Sequence, residues 1–139
     1  MSDYGHWTCN IPFVSAYGFV YLIENLINSK KYIGKKQMQT TKKLKPLKGR
    51  KNKRHFVIET DWREYMSSSN ELLTDIEKNG KSNFKFEILR FCQSKSELAY
   101  FEAKEQFDRE VLLRDDYYNG IINLRIGKIK NISKIPVAK

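Results

Sequence analysis

Two tyrosines on either side of a short polar break are the first candidates for chemistry in this chain. Tyr21 lies in an apolar run, Tyr32 precedes an Ile-Gly pair, and an Asn/Ser/Lys-rich break separates them. This pattern predicts two β-strands joined by a tight turn, which would place both phenols on neighbouring strands. Because the chain becomes strongly basic directly after Tyr32, we predict paired phenols beside a phosphate-binding surface.

The basic stretch from Lys35 to His55 contains ten Lys or Arg residues and no acid. Charge of one sign, together with Pro46 and Gly49, predicts a solvated loop. A merely solubilising loop is the alternative, but its position beside the tyrosines favours nucleic-acid contact that weakens with salt. The predicted DNA-contact residues are Lys35, Lys36, Lys42, Lys43, Lys48, Arg50, Lys51 and Lys53.

A carboxylate on a predicted helix is the third candidate. Ser94 and Glu97 have capping-box spacing and open a helix from about Lys95 to Leu113. Glu102 falls on its apolar side, where a carboxylate is costly unless it pairs with a cation or coordinates a metal. We therefore expect Glu102 to be a metal ligand. The alternatives are an ordinary ion pair with a neighbouring Lys or Arg, and Glu105 as the functional carboxylate.

The elements that must position these residues form an α/β (α+β) domain. Period-two alternation over 83–91 predicts a third strand, so we expect a small three-stranded antiparallel sheet flanked by helices. A short helix is predicted over 60–66, and a second one begins near Ser68 and ends at Gly80. Residues 1–17 should form an N-terminal arm anchored by Trp7 and Phe13, and residues 124–139 a basic tail.

Composition limits the possible partners and compartments. A chain of 139 residues with a formal net charge of +10 and a pI of about 9.6 predicts one domain that binds a polyanion. No apolar run approaches the roughly 20 residues that span a bilayer, and no signal peptide is recognisable, so we expect no membrane association and a cytoplasmic location. Cys9 and Cys92 are far apart and predict free thiols.

The motif built from these residues resembles that of the GIY-YIG nuclease superfamily. Phe19-Val20-Tyr21, Asn25 and Tyr32-Ile33-Gly34 follow its order and spacing, with the first triplet degenerate and the second intact. The resemblance covers about residues 18–123. Within the superfamily, the chain looks most like phage-encoded, free-standing Seg-like endonucleases of homing type. It makes Asn119, in a Tyr-Asn-Gly turn, the counterpart of the family's asparagine.

The resemblance implies an endonuclease that hydrolyses double-stranded DNA with Mg²⁺, or Mn²⁺, held by Glu102. It implies Tyr21 as general base and Tyr32 as the group that holds the water or phosphate, with positive charge lowering a phenol pKa. The family's phosphate-clamping Arg is replaced by Lys42 and Lys43, so the expected clamp is Arg54, with Arg50 as substitute. A homodimer is a further expectation. A non-catalytic DNA-binding protein and an RNA-binding or RNA-cleaving module are the alternatives.

Overall fold

The computed structural model describes residues 4–12, 14–49, 51 and 54–129, without the side chains of residues 43, 44, 54 and 55. In chain order its strands and helices are β1 (Gly18–Asn25), β2 (Lys31–Gln37), β3 (Gln39–Leu44), β4 (Arg54–Glu59), α1 (Asn70–Asn79), β5 (Phe84–Cys92) and α2 (Lys95–Asp108). Short 3-10 turns follow α1 at Lys81–Asn83 and α2 at Val111–Leu113.

The central sheet has the strand order β2-β1-β5 and is antiparallel throughout. This confirms the three-stranded antiparallel sheet flanked by helices. The middle strand β1 is buried along nearly its whole length, which explains why its sequence is a continuous apolar run rather than an alternating one. The N-terminal segment extends the sheet beyond β5, because Thr8 forms a parallel bridge with Glu87.

Each face of the sheet has its own hydrophobic cluster. One face packs aromatic residues of β1 and the N-terminal segment against α1 residue Leu72, and the other packs β1 and β2 against α2 residue Leu98. Tyr4 and Trp7 are buried in the first cluster, so the N-terminal segment is part of the core. Phe13, the other expected anchor, lies outside the described residues.

The prediction of a basic loop over residues 35–55 is wrong for most of its length. β2 continues to Gln37, and β3 then pairs antiparallel with β4 from Gln39↔Glu59 to Leu44↔Arg54. We call the hairpin Gln39–Glu59 the basic ribbon. Its strands contain Thr, Val, Ile and Phe, which favour extended structure, and this preference prevails over the charge that led to the loop prediction.

The helices begin close to the predicted positions but differ in extent. Ser69, rather than Ser68, caps α1 by accepting from Leu72 N, and Gly80 ends that helix. Ser94 caps α2 as expected, but the helix ends at Asp108, so residues 109–113 do not continue it. Residues 62–64 form a turn in place of the predicted short helix.

The described part of the C-terminal tail, residues 124–129, has no regular secondary structure. Leu124 and Ile126 line a cavity together with Tyr100 and Phe107 of α2. The remainder of the tail lies outside the described residues. Among the described helices none is long and apolar enough to cross a membrane.

Candidate active site

A cavity of about 350 Å³ lies at the outer edge of β2. It is lined by residues from β2, the start of α1, α2 and the segment after residue 117: Tyr32, Lys35, Ser68, Ser69, Glu102, Gln106, Tyr118, Asn119, Gly120, Ile121 and Asn123. Three of the predicted site residues, Tyr32, Glu102 and Asn119, therefore share one cavity. Tyr21 is not among the lining residues: it is buried, and its ring packs against that of Tyr32.

The strand register brings the two phenols together. Tyr21 pairs with Gly34, and Ile23 with Tyr32; residues opposite each other share a face, so both tyrosines point to the same side of the sheet. Their ring centroids are 6.1 Å apart. Gly34 makes room for this arrangement, because a Cβ at position 34 would lie 2.5 Å from the Tyr21 hydroxyl oxygen.

Burial determines the ionisation of both phenols. The Tyr21 side chain is fully buried, which raises its pKa well above the ordinary value of 10.0; Tyr32, Tyr65 and Glu102 raise it further. Burial also raises the pKa of Tyr32, against a smaller lowering by its hydrogen bond to Ser68. The expected lowering by nearby lysines is therefore wrong for the protein alone, and both phenols are neutral at pH 7.

Glu102 and Glu105 are distinguished by their partners. Glu102 is 16 % exposed, and its Oε1 lies 3.1 Å from Nζ of Lys35 on the cavity wall. Glu105 Oε1 instead accepts from Nε of Arg109 at 2.9 Å and is not among the cavity residues. Glu102 thus forms the ion pair that was the alternative to a metal ligand. Its partner Lys35 also lines the cavity, as does Tyr32.

Asn119 fastens the edge of β2 through both atoms of its amide. Its Oδ1 accepts from Ile33 N at 3.0 Å and its Nδ2 donates to Ile33 O at 2.8 Å. Gln106 Nε2 donates to the same carbonyl at 3.2 Å. Unpaired backbone groups on an edge strand need partners, so these two side chains hold β2 where Tyr32 and Gly34 must lie. Asn119 has a positioning role in this structure.

Asn25, the motif asparagine of β1, acts through a second buried network. Its Nδ2 donates to the Tyr118 hydroxyl at 3.1 Å, and that hydroxyl donates to Asp75 Oδ2 at 2.7 Å. Asn25 is completely buried, and Tyr118 immediately precedes Asn119. The network therefore ties the end of β1, helix α1 and the segment bearing Asn119 into one arrangement.

Comparison with known protein families shows which family contains this chain. The sequence model of the SegE GIY-YIG endonuclease domain matches residues 7–122. The chain belongs to the SegE GIY-YIG endonuclease family. No curated protein and no solved structure gave a significant match. Family membership supports nuclease activity and implies DNA as the substrate.

Tyr65 is a residue of this GIY-YIG site that the sequence did not reveal. The apolar spacing of Trp62, Tyr65 and Met66 predicted core packing only, and Trp62 is indeed fully buried. Tyr65, however, is hydrogen-bonded to Tyr21, and Lys36 Nζ lies 4.2 Å from its ring centroid. No sequence pattern signals this contact, because it joins the turn at 62–64 to β1.

The Lys and Arg residues that were predicted to contact DNA lie in two parts of the GIY-YIG domain, the candidate site and the basic ribbon. Lys35 lies in the cavity, and Lys36 pairs with Asp61 at 2.9 Å beside Tyr65. The backbone of Arg54 lies opposite Leu44, at the far end of the paired part of the ribbon. Three other candidates are exposed: Lys42, Lys48 and Lys51. The structure does not describe the side chains of Lys43 and Arg54, nor the residues Arg50 and Lys53.

Proposed function

We propose that this GIY-YIG domain is an endonuclease that hydrolyses phosphodiester bonds in double-stranded DNA and requires a divalent cation. One observation carries the proposal: Tyr32 of β2, a carboxylate of α2 and a lysine line one cavity, and the ring of Tyr21 from β1 packs against Tyr32. A protein that only binds DNA has no need of a carboxylate next to its phosphate-binding surface, because the negative charge of the carboxylate repels the phosphates.

The residues of the cavity fit a hard cation such as Mg²⁺ or Mn²⁺. Glu102 supplies a carboxylate oxygen, the preferred kind of ligand, and Mg²⁺ usually keeps several waters and binds through one or two carboxylates plus substrate phosphate. Within the described residues no three His, Cys, Asp or Glu side chains are grouped so that they could hold a metal ion together, so Glu102 would be joined by waters and substrate oxygens. A bound cation would stabilise charge on the phosphate and on the leaving oxygen.

Lys35 would change partners when DNA binds. It pairs with Glu102 in the free protein, and its side chain is 45 % exposed, so a phosphate of the substrate can reach it. A cation on Glu102 would release the ammonium, which could then contact a phosphate oxygen as a point charge. Lys36 is the second candidate for phosphate contact in the described part of the site.

The two phenols would orient the attacking water. Tyr32 is partly exposed and lines the cavity, so its hydroxyl can bind a water or a phosphate oxygen directly. Tyr21 is deeper, and its oxygen can accept the water's proton only if the phenol is ionised. Since burial opposes ionisation, the positive charge of the bound cation, Lys35 and Lys36 would have to offset it.

The narrower assignment, a phage-encoded free-standing endonuclease of homing type, is supported by the likeness to SegE. A homodimer stays a prediction, and it would supply additional DNA contacts.

A plasmid assay tests the proposed function. Purified protein is incubated with supercoiled plasmid and Mg²⁺ or Mn²⁺, with EDTA as the control, and nicked and linear products are separated on a gel. We expect cleavage with the cations and none with EDTA. Salt-sensitive binding without cleavage would instead identify a non-catalytic DNA-binding protein. Preferential cleavage or binding of RNA in competition with duplex DNA would favour the RNA alternative.

A further inference from the structure

The basic ribbon is a structural unit separate from the central sheet. β3 and β4 pair only with each other and form their own two-stranded sheet. At its base Thr60 N donates to Met38 O at 3.0 Å and Thr60 Oγ1 donates to Gln37 O at 2.6 Å. Met38 is buried, and its N–H donates to Tyr17 O at 2.7 Å. The ribbon thus leaves the domain through a fixed junction, directly after the strand that carries Tyr32 and Lys35.

The ribbon carries most of the net positive charge of the protein. Its eight Lys or Arg residues and its one acid, Glu59, leave a formal charge of +7, out of +10 for the whole chain. The acid lies at the base and pairs with Arg63. From Thr40 to Ile58 the sequence therefore contains Lys and Arg but no acid. The partner that this charge selects is a polyanion.

The ribbon also exposes apolar side chains, which charge alone does not require. Phe56 and Val57 are 41 % and 61 % exposed, and Thr41 and Lys42, which pair with them, are exposed as well. Residues opposite each other share a face. The cationic side chain of Lys42 and the aromatic ring of Phe56 are therefore neighbours on one face of the ribbon. A hairpin that served only to hold charge in solvent would carry polar residues at these positions.

We infer that the basic ribbon Gln39–Glu59 enters the major groove of duplex DNA and positions the strand for cleavage. This inference rests on the proposed function and adds the element that holds the substrate. A two-stranded ribbon fits the major groove, which is about 12 Å wide; there Lys can bind guanine acceptors and an aromatic ring can contact a thymine methyl group. Lys48 and Lys51, exposed residues between β3 and β4, would contact phosphates.

A shortened ribbon tests this role without disturbing the catalytic cavity. In the variant, residues 41–57 are replaced by Asn-Gly, so that Thr40 and Ile58 flank a two-residue hairpin turn. The pair Gln39↔Glu59 and the Met38–Thr60 hydrogen bond remain, and an unchanged unfolding midpoint of the core would show that the fold persists. Binding is measured by fluorescence anisotropy with a labelled duplex in EDTA, so that it does not depend on cleavage.

Point variants separate groove contact from charge. Lys42→Ala and Phe56→Ala each remove one member of the exposed pair. Lys78→Ala, on the last turn of α1, and Phe107→Ala, an exposed ring on α2, are the matched controls. We expect both ribbon variants to bind duplex DNA more weakly than their controls. The shortened ribbon should bind at least about tenfold more weakly, with a log Kd that depends less steeply on log salt because phosphate contacts are lost.

Chemical protection locates the ribbon on the duplex. Dimethyl sulfate methylates guanine N7, which lies in the major groove, so the wild type should protect N7 atoms and the shortened ribbon and Phe56→Ala should protect them less. Weakened binding with no change in N7 protection would overturn the inference and leave a contact to phosphates only. Equal binding of wild type and shortened ribbon would overturn it as well, and so would a preference for duplex RNA, whose major groove is too narrow for side chains.

The outcomes also distinguish this inference from the proposed function. If the wild type protects N7 through the ribbon but does not cut plasmid under any cation, the endonuclease proposal fails and the ribbon stands. If the wild type cuts and the shortened ribbon cuts and binds equally well, the ribbon inference fails and the endonuclease proposal stands.

Discussion

The hydroxyl of Tyr21 lies over Gly34 of the neighbouring strand, in space that any other residue would fill. A Cβ at position 34 would lie 2.5 Å from the Tyr21 hydroxyl oxygen and 2.8 Å from a ring carbon of Tyr32. The last residue of the Tyr-Ile-Gly triplet is thus a steric requirement for the paired phenols, and both tyrosines depend on it.

Gly34→Ala should therefore abolish cleavage by displacing Tyr21 and Tyr32. Overpacking of a buried site costs about 1–3 kcal/mol, so we expect a lower unfolding temperature together with loss of plasmid cleavage, while the basic ribbon still binds DNA. Gly127→Ala is the matched control, because a Cβ there meets nothing within 4 Å. Normal cleavage by Gly34→Ala would show that the tyrosines need not be held in this arrangement.

Tyr21→Phe should change how stability depends on alkaline pH. Burial raises the pKa of the folded phenol well above the ordinary value of 10.0, so above pH 10 the unfolded chain loses this proton while the folded protein keeps it. The contribution of Tyr21 is complete below pH 10 and is lost as pH rises through the folded pKa. Urea unfolding midpoints between pH 8 and 11 should fall less for Tyr21→Phe than for the wild type.

The same variant should cleave plasmid much more slowly at pH 8, since the phenol oxygen next to the cavity is gone. Tyr100→Phe, which removes a hydroxyl from an exposed ring, is the control for both measurements. An alkaline stability curve that is identical for Tyr21→Phe and the wild type would argue against a buried neutral phenol.

His6→Gln should make the protein less sensitive to acid. Burial, together with the smaller effect of the Lys81 charge, lowers the pKa of His6 from 6.5 to about 4, so the unfolded chain takes up a proton before the folded one does. Stability from this group is therefore present above pH 6.5 and is lost as pH falls towards 4. Gln can keep the hydrogen bond that His6 Nε2 makes with Tyr65 O at 2.9 Å.

The measurement is the unfolding temperature at pH 7, 6, 5 and 4. The wild type should lose more than His6→Gln over this range, because the variant lacks only this titration and keeps the carboxylates. Parallel curves for the two proteins would show that His6 takes up its proton as readily in the folded protein as in the unfolded chain.

The parts of this site that follow local patterns were predictable, and the parts made by long-range packing were not. The hairpin register that joins Tyr21 to Tyr32 follows from strand spacing, and Ser94 predicted the start of the helix that carries Glu102. The basic ribbon was missed because charge was given more weight than strand preference; the run His55-Phe56-Val57-Ile58, rich in aromatic and β-branched residues, is the signal that could have revealed it.

The end of α2 illustrates a second limit. A helix that continued to Leu113 would place Leu112 and Leu113 on the apolar side that surrounds Glu102, but the helix ends at Asp108 and Leu113 is 82 % exposed. Helix boundaries depend on packing around the last turn, which periodicity does not record. Glu102 lines the cavity and Glu105 does not, because the position of Glu102 on α2 faces β2 whether or not the helix continues; which of the two carboxylates holds a cation stays a prediction.

Asn119→Ala should loosen the edge of β2. It removes two hydrogen bonds to Ile33 and leaves Ile33 N without this partner, while Ile33 O keeps the hydrogen bond from Gln106 Nε2. An unsatisfied buried group costs about 1–3 kcal/mol. Asn119→Asp keeps an acceptor for Ile33 N but places a second carboxylate oxygen against Ile33 O, so it should also unfold at a lower temperature than the wild type. Asn123→Ala, an exposed amide on the same cavity, is the control. Equal stability of all four proteins would contradict the positioning role.

The carboxylate is tested by a matched pair on one helix, Glu102→Ala and Glu105→Ala. Both remove a Glu from α2 that is paired with a cation, Lys35 in one case and Arg109 in the other, but only Glu102 lines the cavity. We expect Glu102→Ala to abolish plasmid cleavage with Mg²⁺ and to retain salt-sensitive DNA binding, because the change removes negative charge from the binding surface. Glu105→Ala should cut within a few-fold of the wild type. If Glu102→Ala cuts normally and Glu105→Ala is inactive, the cation is held on the other side of α2.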